Sequence, residues 1–406
     1  MDRCTLSLRT GTTRLLLAHR PTNAVQVHET RAQCERRSHP LTRPPFRTTV
    51  SRRRFSGQDH EGFFVRASTL LAALLVATGA LRVVAQAPTP QPPCNAAEPQ
   101  WVCGQQTPED VVALPGGQWV FSSAYVGTGG INLIKVSDRT SVVVYPGPSV
   151  KEQLNKKTYP DCPGPPAAGK FTTHGLYVEP GSGPVLRLLA VGHGARESIE
   201  VFQVDTRPAT PSLTWVGCVI APEPIGLNSV RGLADGGFIT TNWLPRGGDQ
   251  GAMQRMMAGE KNGELWEWHT ASGWQKVPGS EAAGANGIEL SADGKTIYMA
   301  AWGSQSFIRF TRGATSPKRD EIPLGFRVDN IHFTRDGSLL AAGQVTDPNA
   351  RSSRVVIIDP QTLAVRDVLT RPDDATFAGS TAAIEVGKDL WLGSYRGNRI
   401  AIIPAP

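Results

Sequence analysis

The chain has 406 residues with a formal charge of +7, and it is rich in turn formers, with 42 Gly and 32 Pro. The charge is unevenly placed: residues 1–87 hold 14 Arg and five acids, so they carry +9 and residues 88–406 carry −2. The body of the chain therefore offers no charge case for nucleic acid or acidic lipid. Long amphipathic helical patterns are also missing, which argues against a helical bundle.

Residues 1–64 contain 12 Arg, no Lys and scattered Pro without periodicity, and are expected to form a disordered or untranslated leader. Residues 65–87 then run Val65-Arg66-Ala67, an apolar stretch Leu70–Leu81, and Ala85-Gln86-Ala87. A positive flank, a short apolar core and a small-x-small site make a secretory signal peptide. The core falls short of the roughly 20 residues a transmembrane helix needs. The expectation is translation from near Val65 and a secreted or periplasmic protein; a membrane anchor made by the same segment is the alternative. Residues 88–104 read as a spacer containing Pro and Cys. Cys94, Cys103, Cys162 and Cys218 remain in the exported part, an even count that suits two disulfides in an oxidising compartment. Three connectivities are open, Cys94–Cys103 with Cys162–Cys218 among them, the latter joining two inter-blade segments. No pair has CxxC spacing, so a zinc or thioredoxin-like site is unsupported.

From residue 105 to 406 one phrase recurs. Its openings are Pro108-Glu109-Asp110-Val111-Val112, His174-Gly175-Leu176-Tyr177, Asn228-Ser229-Val230, Asn286-Gly287-Ile288, Asp329-Asn330-Ile331 and Ser380-Thr381-Ala382. Most lead into a strand, a Gly-containing turn, a second strand and a third. Those third strands are INLIKV (131–136), IEVFQV (199–204), ELWEW (264–268), FIRF (307–310), RVVIID (354–359) and RIAII (399–403). Asp293-Gly294 and Asp336-Gly337 predict tight two-residue hairpin turns. Four short strands repeating at roughly 40–50 residues are the signature of propeller blades. The fold expected is all-β, a six-bladed β-propeller, with a sandwich as the alternative.

In a propeller the loops entering the innermost strands share one face of the disc. Glu109, His174, Asn228, Asn286, Asp329 and Asn330 would therefore converge, although they are far apart in sequence. Singly, an Asn or Asp before a strand is a turn residue capping local backbone. In phase across five blades, carboxylates and amides without thiolates suit Ca²⁺, which takes six to eight oxygens. Trp119 and Trp391 read as core. Trp243 and Trp302, close after blade openings, are candidates for a pocket wall. His269, ending ELWEWH, and His332, inside an alternating strand, read as structural. There is no G-x-S-x-G elbow, no H-E-x-x-H helix and no P-loop, so a covalent serine mechanism and a nucleotide cofactor are unsupported.

The phrases His174-Gly175, LLAVGHGARESIEVFQV (188–204), Leu227-Asn228, Ala285-Asn286-Gly287-Ile288, Val328-Asp329-Asn330-Ile331 and Gly379-Ser380-Thr381 carry a resemblance. From about residue 105 onward the chain resembles the paraoxonase/arylesterase family of calcium-dependent six-bladed propellers, with gluconolactonase and senescence-marker propellers related to it. The resemblance implies that Glu109, Asn228, Asn286, Asp329 and Asn330 hold a catalytic calcium and that His174 and His193 match the family's histidine pair. Asp110 is the candidate for a second calcium, although Ser229 stands where the family has an Asp. A histidine frequent in the fifth blade of relatives has no counterpart in AAGQVTDPNARS (341–352). Asn242-Trp243-Leu244 replaces an Asp-His pair, so substrate preference does not transfer.

The function expected is hydrolysis of a lactone or aryl ester. Calcium polarises the carbonyl, His174 activates water and His193 orients His174. The partner is then a small-molecule lactone or ester, with no nucleic acid and no stable membrane span. The alternatives are a non-catalytic calcium-stabilised propeller that binds a ligand or protein, and a strictosidine-synthase-like propeller.

Overall fold

Short apolar runs separated by Gly, Pro and Asp turns fold here into six small sheets. The computed structural model describes residues 93–406, apart from 99, 148–149, 168, 249 and 315–316. The expected leader (1–64) and signal peptide (65–87) lie outside the described residues. The sheets are the six blades of a β-propeller, and their innermost strands follow in order. They are Val111–Ala113, Phe171–Val178, Leu227–Gly232, Ala285–Leu290, Arg327–Phe333 and Ser380–Val386. The third strands coincide with the runs INLIKV, IEVFQV, ELWEW, FIRF, RVVIID and RIAII.

Blade six is closed from the other end of the chain. Its outer strand is Trp101–Cys103, antiparallel to Arg399–Pro404 with Trp101 opposite Ala401. The spacer drawn at 88–104 is corrected accordingly: residues 101–103 belong to the propeller. Pairing the two ends of the domain in one sheet closes the ring and leaves no unpaired first or last blade, with only the short outer edge of each blade remaining.

The disulfides are Cys94–Cys103 and Cys162–Cys218. The second does not join two inter-blade segments. Cys218 lies within Ser212–Ile220, a strand of blade two, and Cys162 lies in the segment leading into that same blade. The bond therefore ties a long connection onto the blade it precedes. The Asp-Gly turns also differ from expectation. Five residues, 291–295, separate Ala285–Leu290 from Thr296–Ala301, and Gly294 has φ +67° while Asp293 is not in the left-handed region. Asp293 instead accepts hydrogen bonds from Ser291 and from the Lys295 backbone N–H. The Asp stabilises the turn as an acceptor and only the Gly supplies the unusual φ.

Apolar faces of adjacent blades pack on each other. Ile239 and Leu265 of blade three meet Ile288, Met299 and Ile308 of blade four, and Tyr298 and Phe307 meet Ile331, Leu339 and Val356 of blade five. Each such side chain contributes about 1.5–3 kcal/mol on full burial. The one helix among the described residues, Ala252–Met257, sits in an insertion of blade three and buries Met256 beside Gly284 and Gly303 of blade four.

The innermost strands share a defect that matters for function. In blades two to six the pairing advances three residues on the inner strand for two on its neighbour. The bulged pairs are His174-Gly175, Asn228-Ser229, Asn286-Gly287, Asp329-Asn330 and Thr381-Ala382. In blade one Glu109-Asp110 occupies the equivalent place just before Val111, with the Asp110 N–H bonded to Ser123 Oγ. A bulge turns successive side chains away from their regular faces. Repeated around an axis, it delivers to the centre a first ring of side chains and a sparser second ring, to which Gly175 and Gly287 contribute none. Gly175 and Gly287 are required by close approach: a Cβ would stand 2.5 Å from the carbonyl oxygen of Asn228 and 2.6 Å from that of Asp329, respectively.

A candidate metal and catalytic site at the propeller axis

The first residues of the bulged pairs, Glu109, His174, Asn228, Asn286 and Asp329, all line one cavity of about 480 Å³. Thr381 completes the ring without facing that cavity; its hydroxyl donates to the Glu109 carbonyl oxygen at 2.5 Å. Asn330, from the second ring, donates its amide N–H to Glu109 Oε1 at 2.9 Å. All the oxygen-bearing residues singled out from the sequence are thus brought together, over separations of up to 221 residues.

The polar accounting at the cavity floor does not close. Glu109 Oε2, Asn228 Oδ1 and Asn286 Oδ1 are buried and accept no hydrogen bond. Buried acceptors are ordinarily satisfied, because leaving one bare costs its desolvation, about 1–3 kcal/mol or more for a charged group. Charge is also uncompensated. Burial, then the neighbouring Asp110 charge, pushes the Glu109 carboxyl up to about 8. Burial and the Glu109 charge raise Asp329 well above the usual carboxylate range. Among the described residues no Lys or Arg pairs with Glu109, whose ionic contact is with His174 at 3.5 Å. The described residues contain no cluster of three or more His, Cys, Asp or Glu arranged as metal ligands; here amide oxygens complete the donor set. A mixture of carboxyl and amide oxygens, partly bare and with carboxyls that would ionise readily only against a cation, fits a hard divalent ion.

His174 Nδ1 lies 3.0 Å from His193 Nε2, and the two rings meet edge-on. Tyr125 packs over both, 4.5 Å from the His174 ring. Burial pulls the His174 pKa down to about 4 against the pull of Asp329, Asp110 and Glu197, so the ring is neutral at neutral pH. Trp243 and Trp302 stand in the cavity wall, 5.9 Å apart and edge-to-face. Leu244, Met253 and Tyr395 extend that apolar wall.

Three contributors were missed in the sequence. Gln344, in the fifth-blade segment AAGQVTDPNARS, donates to Asp329 Oδ2 at 2.7 Å and accepts from Trp302 Nε1 at 3.0 Å. Tyr125 covers the histidines. Glu197 reaches His193 Nδ1 at 2.9 Å. Only Glu197 left a signal, a carboxylate four residues after a histidine across a hairpin turn.

The second ring behaves differently. Asp110 is fully buried; its carboxylate accepts from the backbone N–H of Val111 and Leu176 and from His332 Nε2 at 2.9 Å. Burial acts to raise its pKa, but His332 and the Leu176 N–H outweigh it and hold Asp110 low. His332, read from the sequence as a structural strand residue, is therefore an axial side chain that occupies Asp110. Below it Arg231 pairs with both oxygens of Glu289 at 2.7 and 2.8 Å and lies over the Tyr177 ring. His269 stays at the periphery, held by Asp235 and Glu267. Trp391 is core, as read from the sequence.

No family model matches the chain, and no curated protein matches its sequence. Solved structures similar to it share the propeller fold. The luciferin-regenerating enzyme aligns over 74% of this chain and 92% of its own at 15% identity, with a TM-score of 0.48. Regucalcin from Agrobacterium tumefaciens strain C58, described as a calcium-binding protein, aligns over 75% and 94% at 12% identity, TM-score 0.43. The periplasmic gluconolactonase of Pseudomonas aeruginosa aligns over 70% and 73% at 17% identity, TM-score 0.37. Structural neighbours of this six-bladed propeller thus include a gluconolactonase and a regucalcin, and at these identities the likeness is one of fold.

Proposed function

We propose that the protein is an exported, calcium-dependent hydrolase of lactones or aryl esters. The observation that carries this reading is the trio of bare buried oxygens, Glu109 Oε2, Asn228 Oδ1 and Asn286 Oδ1, on the floor of a cavity whose side wall is the His174–His193 pair. Glu109, Asn228, Asn286, Asp329 and Asn330 would hold one Ca²⁺. When bound, the ion supplies Lewis-acid polarisation of a carbonyl and charge stabilisation as negative charge develops on its oxygen. Asp110, saturated by His332 and two backbone amides, has little left for a second ion.

The chain's own residues supply the rest. His174, kept neutral by burial, accepts a proton from water at the cavity floor, and His193 holds its ring in place. Trp243, Trp302, Leu244 and Met253 give the substrate an apolar wall and exclude bulk water. The two disulfides support an oxidising compartment and hence export.

Turnover of γ- and δ-lactones and phenyl acetate, measured with and without EDTA, tests the reading. The expected result is calcium-dependent hydrolysis that falls at least about 100-fold in both Asn286→Ala and His174→Gln. Calcium binding without turnover across the panel favours the non-catalytic, ligand-binding propeller. If EDTA alters neither activity nor melting temperature, the metal site is wrong.

A further inference from the structure

Glu197 lies between strands Val185–Gly194 and Ser198–Asp205, on the hairpin that follows His193. It is 7% exposed, and its ionic contact is with a histidine rather than an Arg or Lys. One carboxylate oxygen meets His193 Nδ1 at 2.9 Å; the other accepts the backbone N–H of Leu227 at 2.7 Å. Leu227 immediately precedes Asn228, one of the oxygen donors. A single buried side chain thus holds both the histidine pair and the strand that carries a cavity oxygen.

Resting on the hydrolase reading above, we propose that Glu197 is a positioning residue that fixes the tautomers of the pair, so that the unprotonated Nε2 of His174 faces the cavity. A carboxylate only accepts, so His193 must donate from Nδ1. A neutral His193 then accepts at Nε2, and the donor it faces is His174 Nδ1–H, 3.0 Å away. That leaves His174 Nε2 with a free lone pair. One contact agrees: the Asn228 amide nitrogen is turned toward His174 Nε2 at 3.4 Å.

The proton balance follows. Attacking water forms the new C–O bond and gives its proton to His174 Nε2. The resulting imidazolium keeps its Nδ1–H on His193, which is itself held by the Glu197 carboxylate. The proton then returns to the leaving oxygen as the ester C–O bond breaks. Nothing is oxidised or reduced.

The test is Glu197→Gln in the full protein. Glutamine is isosteric and keeps the Leu227 bond through its oxygen, but it offers an N–H to His193 Nδ1. Both histidines must then reverse, and His174 presents Nε2–H to the cavity. The expected kcat for a lactone falls at least about 100-fold, while KM and calcium affinity stay within about threefold. Nitrogen-15 histidine NMR of the metal-free proteins supplies the second readout: both His174 and His193 protonated at Nδ1 in the wild type, both at Nε2 in the variant. A variant within about threefold of wild-type kcat overturns the positioning role and leaves the hydrolase reading standing. Failure of the wild type on every ester overturns the hydrolase reading alone, and the spectra still decide the tautomers. A wild-type spectrum with His174 protonated at Nε2 overturns the inference even if the variant does not fold.

Discussion

Two layers of side chains around the axis have opposite electrostatics. The upper ring (Glu109, Asn228, Asn286, Asp329) is left with bare oxygens and carboxyls driven toward protonation. The lower region satisfies itself. Asp110 is saturated by His332 and backbone amides, and Glu289 by a bidentate Arg231 whose spare N–H groups reach Val230 and Ile331 carbonyls. Identical backbone geometry therefore fixes where side chains go, not whether they need a ligand. On the reading proposed above, the first layer would take its cation from solution, whereas the second has Arg231 built in.

The largest effect should come from breaking the self-contained layer. Arg231→Ala leaves Glu289 as a buried carboxylate without its cation, and should cost about 3–5 kcal/mol in urea unfolding. A loss below about 1 kcal/mol would show that the guanidinium is not what closes this layer. The upper layer should respond to calcium instead. Calcium at about 100 times its Kd should raise unfolding stability by about 2.7 kcal/mol. Asn286→Ala should remove most of that gain. An unaltered calcium response in Asn286→Ala would separate that amide from the ion.

The smallest effect is a slope. In the metal-free protein Glu109 has its folded-state pKa raised from 4.5 to about 8, and Asp329 is shifted the same way. Between these values the folded state binds more protons than the unfolded state. Its stability should therefore fall as pH rises across that window. Saturating calcium should flatten or reverse the slope, because the ionised carboxylates are then paired. Denaturant titrations at several pH values, with EDTA and with calcium, check this; parallel curves would remove the coupling between the carboxylates and the ion.

Much of this was legible in the residues. The recurring openings marked the six inner strands, and Glu109, Asn228, Asn286 and the Asp329-Asn330 pair were visible as oxygens in phase. Legibility stopped where function depends on what a side chain meets. His332 looked like an ordinary strand residue because its partner, Asp110, is 222 positions away. Gln344 drew no attention, yet it anchors Asp329. The final opening was visible at Ser380, whereas the bulged pair begins at Thr381, because a bulge is a property of two strands together.

The sequence by itself determined the blade period, the all-β character, and which residue types stand at each opening. These are local properties, written in alternation, turn residues and spacing. Tertiary structure decided which oxygens remain bare, that Asp110 is occupied and that Glu197 holds the histidine pair. The physical reason is that hydrogen-bond satisfaction at the axis is settled only when six strands from distant parts of the chain close into a ring. A donor three blades away then either reaches an oxygen or leaves it open.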